Sequence, residues 1–198
     1  LGRAMFGIDR QVAGRVLDEH GRPIESTHGA AAAGVGYVSK NRDLESLMLR
    51  ASIGYNISLP SLDAVSTAKI ISPRREKAFV DEQIRALSIK CQGGSQPVRA
   101  LSGGNKQKVA FAKWVGKRSK VLVLDCPTRG VDVGVKAAMY QLIYQLKKAG
   151  NAIVLISEEL PELIGMSDRI LIMKDGAITG EYLRSPELTE YELIQKMI

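Results

Sequence analysis

The stretch from Leu101 to Asp132 constrains this chain more than any other part of it. Leu101 to Val109 reads LSGGNKQKV, a Ser-Gly-Gly turn opening a helical pattern, and Val121 to Asp125 reads VLVLD, an apolar run ending in a carboxylate. Such a turn leaves first-turn amides with no intrahelical acceptor. Together with the positive end of the helix dipole and the hydroxyl of Ser102, they suit a phosphate oxygen. The apolar run predicts a buried parallel strand over Val121 to Leu124 that delivers Asp125 to the C-terminal edge of a sheet. Carboxylates at such an edge hold nucleotide-bound Mg²⁺, directly or through water. The class implied is α/β, with two halves of a nucleotide site visible in order.

The remainder of the chain agrees with that class. The opening residues read as the tail of a helix, and Arg15 to Ile24 as two short strands about a turn at Glu19 to Gly21. An alanine-rich helix stopped by Gly34 leads into a short core strand closed by Tyr37 and Val38. Residues 40 to 116 look mainly helical, broken at Pro60, at Pro73 and in the loop Gly93-Gly-Ser-Gln-Pro97. Strand character returns at Val121 to Leu124, Ala152 to Ile156 and Ile170 to Met173, with a helix from Lys136 to Lys148 and a turn at Lys174-Asp-Gly176. Alternating strands and helices suit a doubly wound parallel core. Thr189 with Glu192 forms a capping box for a terminal helix whose Leu193, Ile194 and Met197 make an apolar face expected to pack on the domain.

At these motifs the chain resembles the ABC-type ATPases: LSGGNKQKV is similar to their signature, VLVLD to the Walker B strand, and Val131-Asp132 to the D-loop. The resemblance extends over nearly the whole chain, through FGIDR near the start, the segment from Gly34 to Leu62, DCPTRGVDVGVKAAMYQLI and ISEELPELIGMSDRILIMKDG. It narrows to the second, C-terminal cassette of the fused two-cassette ATPases that power bacterial monosaccharide importers. That implies a P-loop NTPase-like α/β domain with a helical signature subdomain. Residues 1–38 would be the start of the ATPase core. Residues 39–116 would hold the Q-loop equivalent and the helical subdomain ending in the signature helix, and 117–198 the core with Walker B, D-loop and switch region. ATP and Mg²⁺ are the implied ligands. Leu101, Ser102, Gly103, Gly104, Asn105, Gln107, Asp132 and Lys40 fall at the ATP-binding positions, and Asp125 at the metal position. The implied partners are another ABC cassette, a transmembrane sugar permease and, through it, an extracytoplasmic sugar-binding protein. The implied location is the cytoplasmic face of the bacterial plasma membrane.

Several positions depart from a hydrolytic cassette. No segment supplies GxxxxGK[ST]; the nearest, Gly29 to Gly36, lacks the lysine and the hydroxyl and reads as the helix and strand already described. In the resembled family the phosphate loop precedes the segment matching LGRAMFGIDR, so Leu1 fits the start of a fragment or a processed product. Cys126 stands where the water-polarising glutamate follows the Walker B aspartate, and a thiol of unperturbed pKa about 8.5 is a poor carboxylate substitute. Glu158 stands at the switch-histidine position, where a carboxylate repels a γ-phosphate. Lys40 stands at the Q-loop glutamine position and cannot copy a neutral amide. A chain so altered is expected not to hydrolyse ATP alone but to offer its signature to ATP held by a partner cassette. A non-catalytic, nucleotide-responsive interaction module without a transporter is the other class the same residues fit; a remnant of a decayed gene is a third.

Composition narrows the field further. At 198 residues and a net charge of +7 the chain can bury one core, and no apolar run reaches the length of a membrane span, which predicts a soluble or peripheral protein. Its basic residues are scattered and not interleaved with aromatics, favouring a solvated surface over nucleic acid, with ATP phosphates and lipid head groups as the remaining candidates. Cys91 and Cys126 have neither disulfide nor zinc spacing and read as free thiols of a reducing compartment. His20 and His28 lie in polar, turn-like sequence and read as solvent-facing. Trp114 reads as core before ligand stacking, and Met48 and Leu49 as core before permease contact. Asn105 and Gln107 fit nucleotide anchoring and capping equally, while Arg42 reads either as a phosphate or permease contact or as an unpaired surface arginine.

Overall fold

The computed structural model describes residues 1–197 and divides them into two compact units, Leu1–Val154 and Leu155 onward. In the first unit, α1 (Gly2–Met5) is followed by a loop, α2 (Thr27–Ala32) and the fully buried strand β1 (Val35–Val38). Gly34, at φ +78°, makes the left-handed turn between α2 and β1. β1 pairs in parallel with β4 (Val121–Asp125), Val35 opposite Val121 and Val38 opposite Leu124. β5 (Ala152–Ile156) completes the sheet in the order β1-β4-β5 and leads the chain into the second unit. Leu122, Val123 and Leu124 are buried, as a strand covered on both faces requires.

Two tight approaches set the packing on this sheet. A Cβ at Gly36 would lie 2.8 Å from Trp114, so the glycine lets β1 lie directly beneath the helix α6 (Gly103–Gly116). Trp114 meets Phe6 edge-on at 5.2 Å, and Phe6 stacks on Tyr37 at 5.6 Å. Trp114 is thus a core residue, as expected from sequence.

Between β1 and α6 the chain is largely helical. A wide turn at Arg42–Ser46 precedes α3 (Ile53–Ser58), the single turn Leu59–Ser61, α4 (Leu62–Val65) and α5 (Pro73–Ala86); α3, α5 and α6 pack against one another. Pro73 begins α5 at its first position, behind Ser72, whose hydroxyl accepts from the Arg75 amide. The expected break is therefore a helix start. A small hairpin, β2 (Ser66–Thr67) with β3 (Ile70–Ile71), interrupts the helices. Its turn residues Ala68 and Lys69 hold φ of 51° and 66° without glycine, which hides the turn from sequence rules. Asn56, fully buried, uses both ends of its amide: Oδ1 accepts from Met48 N, and Nδ2 donates to Met48 O and Ser52 O. The Met48 backbone is held in this way while its side chain is 41% exposed, against the core packing expected.

Arg15 to Ile24 form no strand pair. One antiparallel bridge, Leu17 with Pro23, flanks a turn organised by Asp18, whose carboxylate accepts from the amides of His20 and Arg22. The bonds Asp18 N to Arg22 O at 2.9 Å and Ile24 N to Val16 O at 2.8 Å flank the bridge, so Pro23 sits at a non-hydrogen-bonded position where its missing N–H removes no ladder bond. β4 continues through a loop into α7 (Val133–Lys148), whose N-cap is Asp132.

In the second unit, α8 (Leu160–Met166) precedes β6 (Arg169–Lys174) and β7 (Ala177–Leu183), an antiparallel hairpin. The strand expected at Ile170 to Met173 is present, but it pairs with β7 instead of joining a parallel core. Asp175 and Gly176, both at positive φ, form the turn. Ile170, Ile172 and Leu193 form the small core, with Leu160, Leu163, Ile164, Tyr182 and Leu188 against it. α9 (Glu190–Ile194) starts with the expected capping box of Thr189 and Glu192. Only Leu193 of the predicted apolar face is buried; Ile194 is 39% and Met197 45% exposed, because the helix ends at Ile194.

Candidate nucleotide-contact site

The N-cap of α6 is Ser102, in extended conformation and exposed, and the 14-residue helix behind it turns the Gly103 and Gly104 amides toward the same end. Ser102 Oγ accepts from Asn105 Nδ2 at 2.9 Å and from the Asn105 amide at 3.5 Å. Asn105 Oδ1 in turn accepts from Lys90 N at 2.8 Å, so this side chain serves capping and loop docking. Gln107 is buried and accepts from Arg42 Nη1 at 3.3 Å. Lys106 is paired with Asp43 at 2.8 Å. Leu101 points into the core at 8% exposure, anchoring the turn from below.

Gly104 is needed for a different reason from Gly103. A Cβ there would stand 2.5 Å from Val135 Cγ2 and 3.0 Å from Cγ1, so the absence of a side chain lets α6 and α7 touch backbone to valine. Asp132, exposed, accepts from the Val135 amide at 2.9 Å and caps α7. The signature and D-loop positions are therefore joined through Gly104 and Val135.

At the end of β4, Asp125 is half-buried, and its Oδ2 accepts from the Tyr37 hydroxyl at 3.1 Å. Burial pushes the Tyr37 phenol up to about 12, and the negative charge of Asp125 acts in the same direction; the hydroxyl thus stays a neutral donor through the physiological range. Sequence reading assigned Tyr37 only to the core. Its contact is with a residue 88 positions away, on the neighbouring strand, and no local pattern announces it. Cys126 follows at φ +45°, half-buried, with its carbonyl accepting from Arg129 N. Asp125 offers one carboxylate at a strand's end. That fits a Mg²⁺ ion that takes its other oxygens from phosphate and water, and would not by itself cage a resident cation.

Lys40 lies half-buried just after β1. The segment it opens is held by Ser39, whose hydroxyl donates to Glu45 at 2.6 Å, and by Arg3, which reaches the same carboxylate at 2.7 Å. Lys113 of α6 donates to the Ser46 carbonyl at 2.6 Å, and its burial pulls the ammonium down to about 8. Arg42, half-expected to be an unpaired surface group, is instead tied to α6. In the second unit Glu158 is exposed beyond the end of β5, beside Ser157, whose hydroxyl bonds the buried Glu162 carboxylate.

Among the described residues no helix is long and apolar enough to cross a membrane.

The fold is that of solved ATP-binding cassettes. A dimeric cassette captured after hydrolysis with ADP and Pi superposes with a TM-score of 0.77 at 18% identity, over 93% of this chain and 79% of that one. CbiO1 from Clostridium perfringens, part of an ABC transporter complex, gives 0.72 at 24% identity over 98% and 75%. The family follows from sequence: the ABC transporter model matches residues 1–129, and the chain belongs to that family. It is 44% identical over 193 residues to the ribose import ATP-binding protein RbsA of Bacillus subtilis (strain 168), covering 97% of this chain and 39% of that protein. To a putative ribose/galactose/methyl galactoside import ATP-binding protein of Rhizobium etli it is 41% identical, over 96% and 36%. The chain thus spans about two-fifths of the length of the relatives it matches.

Proposed function

We propose that this chain acts as the second ATP-binding cassette, or a piece of it, of a monosaccharide importer, and that it works in trans. Ser102, Gly103 and Gly104 meet the γ-phosphate of ATP held by the phosphate loop of a partner cassette, with Asp132 at the edge of the shared site. The observation that carries this reading is the exposed Ser102 hydroxyl beside first-turn amides at the head of a 14-residue helix. Preorganised donors of this kind stabilise charge that develops at the phosphate without reorganising during reaction.

The chain does not hydrolyse ATP by itself. Cys126 presents a thiol where a carboxylate would polarise water, and Glu158 presents an anion where a donor would meet phosphate. Asp125, oriented by Tyr37, would hold the Mg²⁺ of MgATP, which would supply charge neutralisation at the phosphates, and Lys40 would offer them a point charge. We assign residues 1–38 and 117–198 to the ATPase core and 39–116 to the part that carries the signature. Ser39 to Pro60 relays closure to a transmembrane permease, and an extracytoplasmic binding protein delivers the sugar to it. The exposed Met48 and Leu44 of that segment suit contact with an apolar partner. The protein would then sit at the cytoplasmic face of the plasma membrane as a peripheral subunit.

The test is ATP turnover by this chain alone, and by its mixture with an intact first cassette, with and without Ser102→Arg. Turnover in the mixture only, lost in the variant, is the expected result. Turnover untouched by Ser102→Arg overturns the reading.

A further inference from the structure

The Arg42 guanidinium reaches two other pieces of chain, α6 and the loop after β4, besides its own neighbour Asp43. Nη1 donates to Gln107 Oε1 at 3.3 Å and to the Arg129 carbonyl at 3.4 Å. Nη2 lies 3.0 Å from where a Cβ at Gly103 would be. Nε faces Asp43 at 3.5 Å, and Asp43 receives Lys106 from α6 at 2.8 Å. The side chain is only 18% exposed, so these contacts form in a partly dry setting where charge-assisted bonds count for more. A side chain at Gly103 would make the guanidinium give way by a few tenths of an ångström, so the glycine suits Arg42 in this position.

We propose that Arg42 is a positioning residue, through which the segment after β1 fixes the first turn of α6 and the loop after β4 relative to each other. The inference rests on the reading that the start of α6 meets nucleotide. Both acceptors, on two elements, are reached by the single nitrogen Nη1 of a rigid planar group, so withdrawing the segment that carries Arg42 releases both together. Lysine keeps the charge and three rotatable donors, but on a compact, strongly hydrated ammonium without the pre-organised planar group.

Arg42→Gln and Arg42→Lys test this with two readouts. In the full chain alone, hydrogen exchange at the amides of Asn105 to Gln107 and of Arg129 to Val131 rises in Arg42→Gln, while β4 exchange stays unchanged. In the mixture with an intact cassette, Arg42→Gln raises the ATP KM about tenfold with kcat within about twofold, the pattern of lost uniform binding, and Arg42→Lys recovers part of the loss. Unchanged exchange in both segments overturns the proposal, as does an unchanged KM in a mixture that Ser102→Arg silences. If Ser102→Arg silences nothing, the nucleotide reading fails by itself, and the exchange readout alone decides whether Arg42 positions the two segments.

Discussion

The start of α6 and the end of β4 belong to the same compact unit and are built to different standards. Around Ser102 the polar side chains are tied in: Asn105 to Ser102 and Lys90, Lys106 to Asp43, Gln107 to Arg42, Lys108 to the Ser88 carbonyl. At the end of β4, Asp125 keeps an orienting partner in Tyr37, but the next residue is a cysteine held at φ +45°, a conformation disfavoured for side-chain-bearing residues. A docking surface spreads its geometry over many residues and many contacts. A hydrolytic centre depends on one residue type at one place. A chain can therefore retain the first with its chemistry intact while the second is replaced, and the proposed division of labour between cassettes is what such a chain is left able to do.

The contrast can be broken most directly at Ser102. Ser102→Arg fills the docking point with a bulky cation and is expected to lower turnover of the mixed assembly about a hundredfold or more, whereas Cys126→Ala should change it within about twofold if the β4 end on this chain is not the hydrolytic one. Equal losses in the two variants would erase the difference between the regions. Gly104→Ala comes next: with Val135 stiff at χ1 on its helix, the added methyl should cost about 1–3 kcal/mol in urea unfolding, and Val135→Ala in the same chain should recover most of it. A full cost in the double variant would mean that Gly104 matters for reasons other than this contact.

Tyr37→Phe sharpens the other side. Removing the hydroxyl takes one donor from a half-buried carboxylate and should cost about 0.5–1.5 kcal/mol, read as a shift of the urea midpoint, with secondary structure by circular dichroism unchanged. A pH dependence tests the α6 side. Lys113 is protonated more weakly in the folded chain, at about 8, than unfolded, so the unfolded state binds more protons above that point. Stability should rise with pH from about 8 toward the ordinary lysine value, and Lys113→Met should flatten that rise. Parallel curves for the two proteins between pH 7.5 and about 10 would remove Lys113 from the account.

What the sequence made legible was local. The helix start at Ser102, the VLVLD strand, the Gly34 stop and the Thr189 capping box each rest on residues within one turn or one strand, and each stands where expected. The misses were of two kinds. The β2–β3 turn uses Ala68 and Lys69 at positive φ, which no propensity predicts, and β7 alternates only over its last four residues, where Gly180 and Tyr182 are half-buried, while its first three are exposed. Arg15 to Ile24 differ the other way: the two expected strands reduce to a single antiparallel bridge about the turn, held by two backbone bonds. The contacts that organise the site were long-range: Tyr37 to Asp125 across 88 positions and Arg42 to Gln107 across 65. Such pairs are fixed by strand order and helix packing, and a single sequence carries no local sign of them.

Gly104 and Val135 leave no slack between α6 and α7, and Asp132 caps α7 one turn before that contact. A displacement of Asp132 is then expected to reach the Gly103 and Gly104 amides by way of this one valine contact. If the cassette pairing proposed above holds, what one cassette senses of the other at Asp132 passes through the width of a single valine side chain.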